Sequence, residues 1–119
     1  MKSFIKNEAL TDDLFTNTYS GIDKDELIKK VHDILILSGY TPTEGQAGNA
    51  IYTKGSRTMR LLFGAFVKYF KFFISIYEEE DKNLKVTVTK QTSGMSGGLI
   101  GMNQVKNELK NLVMIFQSI

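Results

Sequence analysis

One side chain in this sequence is of the type suited to general acid–base work near neutral pH, the single histidine His32. A general base needs a group to orient it and a proton to take, and no serine or carboxylate pairing local to His32 supplies either. It falls between Val31 and Asp33 inside a helical pattern, at the edge of an apolar stripe, the place of a boundary residue more often than of a catalyst. One histidine and no cysteine exclude a two-histidine metal site, a thiolate zinc site, a cysteine nucleophile and a disulfide within the chain. The run Glu78-Glu79-Glu80-Asp81 lacks the alternating ligand spacing of a calcium loop, and adjacent carboxylates that repel one another are cheapest in water, so it reads as a charged turn. No catalytic residue, metal or cofactor is expected.

The glycine cluster from Ser93 to Gly101 is the next feature with chemical potential. Glycines before a helix can turn backbone N–H groups toward a phosphate. Ser93, Gly94, Ser96, Gly97 and Gly98 would form such an anion site, with Lys90 as helper. Yet neither a P-loop nor a dinucleotide fingerprint is present, and no lysine follows the last glycine. A tight strand-to-helix connection accounts for the cluster equally well and is preferred, with phosphate or nucleotide binding as the alternative.

The third feature is a strand-like segment over residues 67–79. Phe70, Phe72, Ile74 and Ile76 make a continuous apolar row, whereas Tyr69, Lys71, Phe73, Ser75 and Tyr77 alternate aromatic with basic or small polar residues. Residues 84–90 repeat the division, with Leu84, Val86 and Val88 on one side and Lys85, Thr87 and Thr89 on the other. One sheet face would then be open. Tyr52, Lys54 and one of Arg57 or Arg60 are expected to join Tyr69, Lys71, Phe73, Tyr77 and Lys85 there. Aromatic side chains bury much area at little rotamer entropy, so such a face suits a protein partner, self-association or a small apolar ligand. Aromatics among lysines could also stack single-stranded nucleic acid, but the aromatic ribonucleoprotein signature is absent, and the net charge of +2, from 15 basic and 13 acidic residues, is small.

The elements that must position these residues follow from period and punctuation. Residues 1–11 show no strong period and read as a partly ordered lead-in, and residues 12–20 as a short first strand. Ile22-Asp23-Lys24-Asp25-Glu26-Leu27 has the form of a capping box, Asp23 as N-cap with Glu26 three residues on, and of a hydrophobic staple between Ile22 and Leu27. The apolar spacing of Leu27, Ile28, Val31, Ile34, Leu35 and Leu37 predicts a helix over residues 24–38, ended by Gly39. Residues 41–48, with Pro42, Gly45 and Gly48, read as a loop. Strands are predicted over 49–54, 57–63, 67–79 and 84–90, with Gly55-Ser56 a hairpin turn joining the first two and Gly64-Ala65 a bend. A terminal helix turns Met102, Val105, Leu109, Leu112, Val113 and Phe116 to the core, with Asn103 as N-cap.

With 42% hydrophobic and 24% charged residues the chain has the composition of an ordinary globular domain, and 119 residues suit one domain. Lys68 and Lys71 interrupt the apolar stretch of residues 61–77, so no transmembrane segment is expected, and an interfacial membrane helix there would contradict the strand reading. The lack of cysteine and of an apolar leader at the N-terminus suits a cytoplasmic protein. The expected fold is α+β: a four-stranded antiparallel sheet, five-stranded with the N-terminal segment, covered on one face by two helices. By element order it resembles the β-α-β4-α arrangement of TATA-binding-protein-like and helix-grip domains. The resemblance implies a topology and carries no function. The expected activity is non-catalytic binding of a protein or small apolar ligand on the aromatic sheet face.

Overall fold

The computed structural model describes residues 3–11, 13–55, 70–91 and 98–119, and the side chains of the last stretch from residue 105 onward. Strand β1 (Phe4–Leu10) and strand β2 (Leu14–Tyr19) form a first hairpin. Helix α1 (Lys24–Leu37) follows, then strands β3 (Thr41–Gln46), β4 (Asn49–Lys54), β5 (Phe70–Glu78) and β6 (Leu84–Lys90), and finally helix α2 (Gly98–Phe116). The six strands make one antiparallel sheet in the order β1-β2-β6-β5-β4-β3. β2 closes against β6, so the first hairpin and the later meander share one sheet.

The core lies on one face. Phe15 and Tyr19 of β2, Ala50 and Tyr52 of β4, Phe70, Phe72, Ile74 and Ile76 of β5, and Leu84, Val86 and Val88 of β6 are buried together. Leu27, Val31 and Leu35 of α1 and Val105, Leu109, Leu112, Val113 and Phe116 of α2 cover them. This is the strand period of two meeting the helix period of 3.6 across a single apolar layer.

Local chemistry explains the helix ends. Asp23 takes the N-cap position with extended dihedrals, but its side chain makes no capping hydrogen bond, so the reciprocal box expected with Glu26 is not formed. Ile22 does pack against the core that holds Leu27. At the other end Gly39 has φ +96, and the Tyr40 N–H donates to the Leu35 carbonyl at 2.8 Å while the Gly39 N–H donates to that of Ile36 at 3.0 Å. This paired closure needs the left-handed residue that glycine supplies, and it turns Tyr40 back into the core beside Leu35. Leu37, expected on the apolar stripe, is 88% exposed because the stripe's phase has carried it to the solvent side. In α2 the helix already includes Gly98–Met102, so Asn103 lies within it rather than at its N-cap. Two glycines lower helix propensity by about 1 kcal/mol each without forbidding the conformation.

Three sheet expectations are corrected. Phe4–Leu10, expected to be a partly ordered lead-in, is an edge strand whose pairing with β2 shifts register twice, which breaks its alternation. Its N-terminus is fastened by the Ser3 and Phe4 N–H groups to the Ile119 carbonyl, at 2.6 and 3.3 Å. Thr41–Gln46, expected to be a loop, is the opposite edge strand. All six of its residues are exposed, so it has no apolar alternation to detect, and an edge can accommodate Pro42, which lacks an N–H. Both edges of β4 are taken, by β3 and β5, where the sequence predicts a hairpin with residues 57–63 on one of them. The other expectations for residues 56–66, the strand over 57–63 and the bend at Gly64-Ala65, lie outside the described residues. Residues 70–78 are strand, which removes the interfacial helix over that part of the segment. No helix among the described residues is long and apolar enough to cross a membrane.

A buried polar chain locks the first hairpin to α2. Asn7 Nδ2 donates to Asn17 Oδ1 at 2.8 Å, Asn17 Nδ2 reaches the Tyr19 hydroxyl at 3.4 Å, and that hydroxyl donates to the Phe116 carbonyl at 2.8 Å. Asn17 and Tyr19 have no exposed surface, so each bond offsets a desolvation cost that would otherwise be left uncompensated. The last one shares the Phe116 carbonyl with the Ile119 N–H, which donates to it at 3.3 Å. Burial pushes the Tyr19 phenol up to about 12, keeping it a donor.

Candidate partner-docking sheet face

The sheet face opposite the helices is built by strand parity. In β5 the even positions are buried, while Lys71, Phe73 and Ser75 are half-buried and Tyr77 is 39% exposed. Register then fixes the neighbours. Phe73 lies opposite Ile51 on β4 and Thr89 on β6, and Thr89 lies opposite Leu14 on β2. The result is a row running Leu14, Thr89, Phe73, Ile51 across four strands, all four half-buried. A second row, Thr16, Thr87, Ser75, Asn49, is small and polar, with the Thr16 and Thr87 hydroxyls 3.1 Å apart. A third sets Thr18 beside Lys85 and Lys85 beside Tyr77, and Lys71 begins a fourth with Thr53.

Of the side chains expected on this face, the structure brings together Lys71, Phe73, Tyr77 and Lys85. Tyr52 belongs to the other face. It is 1% exposed, paired with Phe72, and its hydroxyl is 2.7 Å from His32 Nδ1 of α1. Burial raises its phenol, and the contact with the His32 ring ties α1 to β4. Lys54 also turns to the helix side, with Nζ 5.5 Å from the Tyr40 ring centroid and 4.0 Å from Glu108 Oε2. The parity of β4 decides both: Asn49, Ile51 and Thr53 face outward, which puts Ala50, Tyr52 and Lys54 inward. Tyr69, Arg57 and Arg60 lie outside the described residues, as do Ser93, Gly94, Ser96 and Gly97 of the expected anion site. Gly98 is within α2.

The electrostatics of the outer face are close to neutral. Lys85 hydrogen-bonds to Glu8 of β1 and has Glu79 at 4.0 Å. The lysine holds the Glu8 carboxyl below its usual range, and Glu8 in turn raises Lys85. Lys90, the expected anion helper, is 2.8 Å from Asp13. Among the described residues, the outward positions of β2, β6, β5 and β4 carry no carboxylate; the acids stand at the β5–β6 turn, on β1, and on the edge strand β3, where Glu44 pairs with Ile51. No group of His, Cys, Asp and Glu among the described residues could hold a metal ion.

Sequence reasoning missed a polar cluster on the helix side. The Tyr40 hydroxyl donates to Glu108, which Asn111 also contacts at 3.4 Å, and burial, with the neighbouring carboxylate adding to it, raises the Tyr40 phenol. No local spacing joins residues 40, 54 and 108. It also missed Leu14, Thr16 and Thr18 on the outer face, although the alternation Leu14-Phe15-Thr16-Asn17-Thr18-Tyr19 carried that signal. Compared with known proteins, the chain matches no protein-family model and no curated sequence.

Proposed function

We propose that this chain is a non-catalytic binding module that docks a protein partner on the outer sheet face. Phe73 and Tyr77 are its aromatic contacts, and Lys71 is its polar handle. The observation that supports the reading is the half-buried row Leu14, Thr89, Phe73, Ile51, set in a lane free of carboxylates. An apolar row framed by hydroxyls matches the anatomy of a non-obligate interface, whose centre is depleted in charge and enriched in aromatics. Single-stranded nucleic acid is disfavoured because two of its expected lysines are engaged, Lys85 by Glu8 and Lys54 beside Glu108. The unit from β2 to α2 is read as a β-α-β4-α arrangement of the TATA-binding-protein-like kind with one added edge strand, and a cysteine-free chain suits a cytoplasmic setting.

The test is site-specific photo-crosslinking in cells, with benzoylphenylalanine in place of Phe73 and, as control, in place of Met114, which is 72% exposed on α2. A discrete protein adduct from position 73 and none from position 114 is expected. No adduct from position 73 overturns the reading.

A further inference from the structure

We infer that the occupant of this face is a second copy of the chain, the two sheets stacking face to face about a twofold axis that crosses the strands at Ser75. The inference rests on the docking reading above and adds the identity of the partner.

The argument starts from the charge order along β5. Lys71 stands four residues before Ser75, and Glu79 four residues after it. Glu79 continues the outward parity of Lys71, Phe73, Ser75 and Tyr77, since it lies 4.0 Å from the outward-facing Lys85, and its N–H donates to the Asn83 carbonyl at 2.9 Å. A twofold across the strands reverses strand direction while stacking β5 on β5. Lys71 of one copy then faces Glu79 of the other, twice by symmetry, and Phe73 faces Tyr77. The row of small residues, Thr16, Thr87, Ser75 and Asn49, falls on the axis, where two sheets must approach most closely. The alternative twofold, parallel to the strands, would oppose Lys71 to Lys71 and Glu79 to Glu79. Like charges reject that arrangement.

The dimensions agree. At about 3.3 Å per residue the charged groups stand roughly 13 Å from the axis, and sheets packed face to face lie about 10 Å apart. The usual packing angle of about −30° displaces strand ends by roughly 6 Å at that radius, within the reach of a lysine side chain. Five strands about 4.8 Å apart and seven residues long cover roughly 550 Å² of flat area, and the side-chain relief adds to it. That is the lower end of a specific interface, at about 600 Å² per partner, so the dimer is expected to be reversible with a Kd in the micromolar range.

Sedimentation equilibrium on the purified full chain tests the arrangement. The wild type is expected to be a monomer–dimer mixture. Lys71→Glu and Glu79→Lys are each expected to raise Kd roughly tenfold, because each turns two attractive contacts repulsive. The double variant carrying both is expected to return to within about threefold of the wild type, a rescue that simple loss of folding cannot produce. Phe73→Ser should abolish the dimer while circular dichroism reports an unchanged fold. A wild type that stays monomeric to about 100 μM overturns the inference, as does a dimer indifferent to all four variants. If the chain is monomeric but position 73 still crosslinks to a different protein, the docking face stands and self-docking falls; absence of any adduct at 73 removes both.

Discussion

Tyr52 and Phe73 provide the sharpest check on which face is which. They sit on neighbouring strands, one register step apart, since Tyr52 pairs with Phe72 and Ile51 with Phe73. A slip of one residue would exchange their environments completely. Tyr52→Ala removes a ring that is 1% exposed, together with its hydrogen bond to His32. Truncation of a buried large aromatic costs about 3–5 kcal/mol. Phe73→Ala removes a half-buried ring whose cross-strand partners are Ile51 and Thr89; at about 0.2–1 kcal/mol for each pair, the loss is roughly 1 kcal/mol. Urea unfolding followed by circular dichroism separates the two. With a slope near 2 kcal/mol per molar, Tyr52→Ala should lower the midpoint by about 1.5–2.5 M and Phe73→Ala by about 0.5 M. Tyr52→Phe isolates the hydroxyl, and its expected cost is about 1 kcal/mol. A Phe73→Ala variant as destabilised as Tyr52→Ala would refute the assignment of faces.

Other outcomes follow from local chemistry. Lys85 holds the Glu8 carboxyl below its ordinary value of 4.5, so its contribution is present above that pH and lost as pH falls through the lowered folded value. The stability difference between wild type and Glu8→Gln in urea titrations should therefore be constant near neutrality and vanish in acid. Tyr19, Tyr40 and Tyr52 all have raised phenols, Tyr19 from 10.0 to about 12, so their stabilisation is complete below the ordinary value of 10.0 and is lost as pH rises through each raised folded value. Phenolate absorbance of the native chain should show these three ionising together with unfolding, above the range in which they titrate in urea. Gly45 has φ +81, and a Cβ there would lie 2.4 Å from the Asn49 carbonyl, whereas Gly21, at φ +69, would meet nothing within 4 Å. Gly21→Ala should cost about 1–2 kcal/mol in thermal unfolding, the left-handed strain alone, and Gly45→Ala clearly more.

The elements legible in the sequence are those whose pattern also does the packing. Residues 70–78 and 84–90 alternate because one face is buried, and α1 carries its stripe because Leu27, Val31 and Leu35 must meet the sheet. Both edge strands were illegible for a related reason. β3 buries nothing, and the register shifts in β1 cancel its period, so backbone pairing holds them and backbone pairing leaves little trace in side-chain type. The partner of β4 was misassigned because Gly55-Ser56 resembles a hairpin turn, whereas the turn that forms is Ala47-Gly48, with Gly48 at φ +96. That exchange also carried Tyr52 and Lys54 to the wrong face, because a strand's inward set depends on its neighbours as well as on its own composition.

What the outer face needs in order to fold can be judged from its own residues. Thr16, Thr87, Thr89 and Thr53 occupy positions on β2, β6 and β4 equivalent to those of Phe73 and Tyr77 on β5, and a β-branched hydroxyl meets the strand's demands there. The described core lies on the opposite face, where the helices cover an apolar layer that includes one buried amide, Asn17. Phe73 and Ile51, placed side by side, therefore exceed what sheet formation requires. Exposing them has a solvation cost that a threonine pair would avoid. A second surface that covers them recovers that cost, and it does so most fully where it brings its own aromatic, as Tyr77 of a second copy would, and its own carboxylate for Lys71.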